Sequence, residues 1–108
     1  MTIPEISVDD LAALGPDVRL IDVREEHEWV EARAPHAVLV PLGTVPDQLD
    51  QFDGSPTYVI CRSGARSLRA CEFAAAQGHD VVNVAGGTLA WAESGHPVES
   101  GGAGGAGG

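Results

Sequence analysis

The sequence predicts an α/β domain built on a mainly parallel sheet. Two observations carry that prediction. Between about residues 3 and 98, short runs rich in β-branched residues alternate with segments of helical periodicity, and most of the helical segments close on glycine or proline. The length of 108 residues allows one compact domain, which at this size buries roughly two thirds of its unfolded surface and needs no disulfide staples.

Five runs read as strands, at residues 3–6, 18–23, 37–40, 57–61 and 81–84. After the first, Ser7-Val8-Asp9-Asp10 reads as a capping box leading into a helix over 8–14, which Gly15-Pro16 ends. Residues 25–31 form a weaker helix whose acidic first turn suits the positive end of a helix dipole. A third helix is expected over 44–52, with the Thr44 hydroxyl as cap and Gly54 beyond its end. The best-defined helix covers 67–77, where Leu68, Cys71, Ala74 and Ala75 share one apolar face and Gly78 stops the run. The last spans 87–93, closed by Gly95 and Pro97. From Ser100 onward the sequence offers no side chain larger than a methyl group, so a domain over 1–99 and a disordered Gly/Ala tail over 100–108 are expected.

Sixteen acidic residues against six basic ones, all six of them arginine, give a net charge of −10. Nucleic acid and anionic membrane are thereby excluded as expected partners, because neutralising phosphates takes many cations on one face. The longest apolar run, 38–42, is broken by Pro41 and falls far short of a bilayer span of about 20 residues. The start, MTIPEISVDD, has neither a basic stretch nor an apolar signal core, so a cytoplasmic location and a monomer are the expectations. Two cysteines are too few for a disulfide scaffold, and no Cys/His spacing suits zinc. No metal and no other cofactor is therefore expected, and cysteine chemistry should be redox or nucleophilic.

Cys61 ends the run Tyr58-Val59-Ile60, and Arg62-Ser63-Gly64-Ala65-Arg66-Ser67 follows before the best helix. This places a thiol at the carboxyl end of a buried strand, where ligands bind in open α/β sheets. The loop can curl around the sulfur with its backbone N–H groups inward, joined by those of the helix start, and Gly64 permits close approach. Such a bowl favours a thiolate and any anionic group attached to it. Arg62, Arg66 and Arg69, three of the six arginines, follow within nine positions, in a chain that is otherwise strongly acidic. Guanidinium suits oxyanions such as thiosulfate or sulfonate. The reaction class is nucleophilic attack by Cys61 on an anionic sulfur donor. Cys71 reads as a small buried hydrophobe, Arg69 as part of a solvated face, and the four histidines as surface side chains with no catalytic base among them.

Three stretches resemble the signatures of single-domain rhodaneses, a sulfurtransferase family. They are Leu20-Ile21-Asp22-Val23-Arg24-Glu25 with Glu28-Trp29, the loop from Cys61 to Ser67, and Val82-Asn83-Val84-Ala85-Gly86-Gly87 with Ala90-Trp91. The resemblance implies a five-stranded parallel sheet flanked by helices and a persulfide carried on Cys61. Arg62, Ser63, Gly64, Ala65, Arg66 and Ser67 would supply the cradle that binds substrate. Asp22, Arg24 and Glu28 would support it, with Asp22 holding Arg66 and Glu28 the next candidate for that task. The implied reaction moves sulfane sulfur from thiosulfate, a polysulfide or a low-molecular-weight persulfide to cyanide, a thiol or a protein thiol. The family's Gly-His-Ile-x-Gly-Ala stretch is here Ala32-Arg33-Ala34-Pro35-His36-Ala37, so a positive φ at the second glycine position falls on His36. Glu28 stands where the two-domain mammalian enzymes place a substrate-binding arginine, so thiosulfate affinity is the property expected to differ.

Two other readings compete. A cysteine phosphatase or arsenate reductase shares the strand, loop and helix but places five residues between cysteine and arginine, whereas four separate Cys61 from Arg66. The shorter loop makes a smaller bowl, suited to one extra sulfur atom rather than a tetrahedral phosphate. A non-enzymatic binding module of the same fold is expected to lack the cysteine, which this chain retains.

Overall fold

Adjacent residues on the central strands face opposite ways, and that alternation divides the core in two. Ile21 and Val59 pack on one side of the sheet while Leu20 and Ile60 pack on the other. The computed structural model describes residues 2–101. In it, β1 (Glu5–Ile6), β2 (Arg19–Asp22), β3 (Val38–Leu39), β4 (Thr57–Ile60) and β5 (Val81–Val84) form one sheet in the order β1-β5-β4-β2-β3. Every neighbouring pair is parallel. Each strand lies within its predicted run, and the three interior strands, β5, β4 and β2, are those both of whose faces must be covered.

The helices supply that cover. Helix α3 (Ala65–Ala76) brings Ala70, Cys71 and Ala74 onto the face carrying Ile21, Val59 and Val81, with Val45 and Phe52 alongside. On the other face α1 (Val8–Leu14) and α4 (Gly87–Glu93) place Val8, Leu11 and Trp91 against Leu20, Ile60 and Val84. Helix α1 begins as the sequence implies, with the Asp10 N–H donating to Ser7 Oγ at 3.1 Å. In α2 (Glu26–Glu31), Glu25 is the cap, and its N–H donates to Glu28 Oε1 at 3.0 Å.

Several predicted boundaries shift by one or two residues and one helix is corrected. Helix α3 starts at Ala65 rather than 67, because Gly64, at φ 113°, turns the chain into the helix within the loop itself. The helix expected over 44–52 is instead two 3₁₀ segments, Leu42–Asp47 and Leu49–Gln51. Pro46 has no N–H to give to the residue four positions back, so short three-residue bonds such as Gln48 N–H to the Val45 carbonyl (3.0 Å) take over. The Thr44 hydroxyl does not cap a helix but donates to the Pro41 carbonyl at 2.8 Å. His36 takes φ 68°, the conformation the missing glycine would have taken more easily. Beyond the predicted domain end at 99, Gly101 is bonded back to the body: its N–H donates to the Val30 carbonyl at 2.7 Å and its own carbonyl accepts from Arg33 Nη1 at 3.0 Å. The rest of the expected tail, 102–108, lies outside the described residues.

Candidate active site

Strand β4 is central, so the chain leaving its carboxyl end emerges between β2 and β5, beneath the first turn of α3. Cys61 sits there with 1% of its surface exposed. Leu68 N–H makes the first helical bond, to the Gly64 carbonyl, so the N–H groups of Ala65, Arg66 and Ser67 have no partner within the helix. Of these the Ser67 N–H acts on the sulfur, joined by the loop N–H groups of Ser63 and Gly64. Gly64 N–H points at Cys61 Sγ from 3.1 Å, and the Ser67 hydroxyl lies 3.3 Å from it. Burial alone would raise the thiol pKa. The Ser67 hydroxyl and the N–H groups of Ser67, Gly64 and Ser63 outweigh burial, and the net effect is a lowering.

The rim of the loop is fastened by α4. Thr88 donates twice to the Cys61 carbonyl, from its N–H at 2.8 Å and from Oγ1 at 3.1 Å, and Leu89 N–H donates to the Arg62 carbonyl at 3.0 Å. This approach requires a glycine before Thr88. A Cβ on Gly87, whose φ is 60°, would lie 2.4 Å from the Cys61 carbonyl oxygen and 2.5 Å from that of Arg62. Gly87 and Thr88 are thus site residues that the sequence reading did not single out, as is Asn83, whose amide reaches the Gly64 carbonyl at 3.2 Å. The signal for Asn83 was available: it is a polar residue in an otherwise apolar strand run.

The ion pairs differ from the expected ones. Arg66 is held by Glu28, not by Asp22, through two parallel bonds of 2.8 Å. That contact, reduced by burial and helped by the Glu25 N–H, lowers the Glu28 pKa from 4.5 to about 2. Asp22, fully buried, is taken by Arg24, which also donates to the Ala32 carbonyl at 2.7 Å. The Asp22–Arg24 pair therefore fastens α2 to the end of β2, and supports the site through Glu28 rather than by touching the loop. Arg62 and Arg69 are exposed and in no ion pair among the described residues. Arg62 stands over a cleft of about 240 Å³ beside the loop, with Glu28, Glu31, Thr88 and Leu89 on its walls. Ser63 and Ala65 are exposed at the loop surface. An apolar cavity of about 250 Å³, lined by Leu11, Pro16, Leu20, His36 and Trp91 among others, opens near the starts of β2 and β3, away from the thiol.

Cys71, on α3, has its pKa raised to about 12, chiefly by burial and secondarily by the Glu72 charge. The arrangement sets one thiol of lowered pKa among hydrogen-bond donors, with Arg66 beside the loop, and a second thiol of raised pKa on α3.

Comparison with known proteins agrees with the fold. The family model for the rhodanese-like domain matches residues 7–94. A Bacillus subtilis protein with a provisional sulfurtransferase name, YtwF, is 41% identical over 95 residues, covering 84% of this chain and 92% of its own. A sulfurtransferase of Allochromatium vinosum is 38% identical over 84 residues, covering 76% of this chain and 78% of its own. The crystal structure of a rhodanese-like domain protein from Staphylococcus aureus superposes with a TM-score of 0.81 at 34% identity, over 91% of this chain and 98% of that one.

Proposed function

The chain belongs to the rhodanese-like domain family, which makes sulfur transfer its chemistry, and from that premise we propose that Cys61 is the nucleophile and carries sulfane sulfur as a persulfide. The observation that carries the reading is the convergence of the Gly64 N–H and the Ser67 hydroxyl on Cys61 Sγ. These donors stabilise a sulfur anion before any substrate arrives.

In the first half-reaction the Cys61 thiolate attacks the outer sulfur of the donor. A Cys61–sulfur bond forms, the donor's sulfur–sulfur bond breaks, and the leaving group departs with its electron pair, as sulfite when thiosulfate is the donor. In the second, cyanide or a thiolate attacks the outer sulfur of the persulfide, and the electron pair returns to Cys61 Sγ. Negative charge stays within the bowl throughout, so one set of donors serves both halves. Arg66, oriented by Glu28, supplies fixed positive charge beside the loop, and the exposed guanidinium of Arg62 suits an anionic donor arriving from solvent. The substrate class is a small anionic sulfur donor, with cyanide, a small thiol or a protein thiol as acceptor.

The test is intact-protein mass after exposure to excess thiosulfate or polysulfide. One added sulfur atom is expected, mapping to Cys61 and removed by cyanide or a reductant. Loading that persists in Cys61→Ser and disappears in Cys71→Ser would overturn the assignment.

A further inference from the structure

Within β5, Asn83 is a polar side chain with only 1% of its surface exposed. Its Nδ2 donates to Glu5 Oε2 on β1 at 2.9 Å and to the Gly64 carbonyl at 3.2 Å. Both partners are acceptors, which fixes the amide with its nitrogen toward the loop. Its Oδ1 is buried and has no partner among the described residues. An apolar side chain at this position would avoid that unpaired oxygen, so the amide needs a compensating role.

The Gly64 carbonyl supplies one. Three donors lie 3.2 Å from its oxygen: Leu68 N–H, Asn83 Nδ2 and the Ser67 hydroxyl. A carbonyl oxygen has two lone pairs, and Leu68 and Asn83 fill them. The Ser67 hydroxyl has one proton, and its remaining acceptor is Cys61 Sγ, 3.3 Å away. We propose that Asn83 is a positioning residue of the sulfur site: by filling the second lone pair of the Gly64 carbonyl, it turns the Ser67 proton onto Cys61 Sγ. The inference rests on the reading of Cys61 as the sulfur-carrying thiolate, and adds to it a residue that touches neither sulfur nor substrate. Without Asn83, Ser67 divides its proton between carbonyl and sulfur, and the anion loses part of a charge-assisted bond.

Of the other titratable and charged groups around the site, Arg66 and Cys71 on α3, Asp22 on β2 and Glu28 on α2 make no bond to Asn83; the Glu5 carboxylate on β1 does and loses that donor in the variant, but it is exposed and takes water instead. Asn83→Val suits a strand and removes the unpaired oxygen, so its thermal midpoint is expected to match or exceed that of the parent. The discriminating readout is the pH midpoint of Cys61 alkylation by iodoacetamide. It should rise by about 0.5 to 1 unit in Asn83→Val, and Asn83→Val added to Ser67→Ala should shift it no further. Should Asn83→Val not fold, Asn83→Ala carries the same expectation. An unchanged midpoint in the variant, with a low one in the parent, overturns the inference and leaves Cys61 as the thiolate. An equal shift in the Ser67→Ala background also overturns it, because Asn83 would then act by another route. A parent midpoint at the ordinary thiol value takes down both.

Discussion

Cys61, in the loop that leaves β4, and Cys71, on the helix α3 that follows, have 1% and 0% of their surfaces exposed, and their thiols are pushed in opposite directions. Burial raises both pKa values, so depth in the core does not distinguish them. What differs is the direction of the surrounding donors. The Cys61 sulfur faces a loop and the start of a helix, where N–H groups have no carbonyl to pair with. Cys71 lies further along the same helix, where the N–H groups are already used, and the charges that reach it are carboxylates and the other sulfur. The opposite shifts therefore follow from position relative to the start of one helix, not from exposure.

The largest effect expected from breaking this contrast is in the nucleophiles themselves. Cys61→Ser should abolish sulfur transfer and keep the fold, since the hydroxyl can accept the same donors. Cys71→Ser should keep transfer and lose about 1 to 2 kcal/mol of stability, because a hydroxyl is less welcome than a thiol on that apolar face. Transfer assays with denaturant titrations on both variants separate the two outcomes.

Next comes the fastening of the Cys61 loop. Gly87→Ala forces a methyl group against the Cys61 and Arg62 carbonyls and should cost about 2 to 4 kcal/mol, with transfer falling in whatever fraction remains folded. A change confined to stability, with full activity per folded molecule, would mean that the α4 contact does not shape the bowl.

The Arg66–Glu28 pair is half-buried, so solvent weakens it and about 1 kcal/mol of coupling is expected from a double-mutant cycle. Additive effects of Arg66→Ala and Glu28→Ala would dissolve the pair. Its pH dependence has a definite sign. The folded Glu28 pKa lies below 4.5, so the contribution is complete above about pH 4.5 and fades as pH falls toward about 2. In Glu28→Gln that part of the acid-induced loss should vanish. The smallest effect lies away from both cysteines: His36→Gly relieves a positive φ and should gain up to about 1 kcal/mol without altering either thiol.

Much of the contrast was legible in the residues. Strand positions followed from β-branched runs, and the candidate site was proposed from a cysteine placed between a strand end and the best helix. The unread parts depend on which groups claim each other first. Asp22 and Arg24, two apart at a strand end, point the same way and pair locally, which leaves Arg66 to Glu28; alternation alone shows the first pairing, but only the path of α2 shows the second. The segment 44–52 has helix-compatible residues, and Pro46 was the signal that a regular helix could not run through it. Gly87 stood in the third signature without a role, and its part in the candidate site, like that of Thr88, shows only where α4 packs back on the loop, a long-range contact.

The most direct test of the central claim is the alkylation rate of each cysteine in the native protein across a range of pH, read by mass spectrometry. Cys61 should label with a midpoint well below the free-thiol value of about 8.5, and Cys71 should stay unlabelled until the protein unfolds. Equal native rates at the two sites, or a Cys61 rate that rises only near pH 8.5, would contradict a bowl of donors around the Cys61 sulfur.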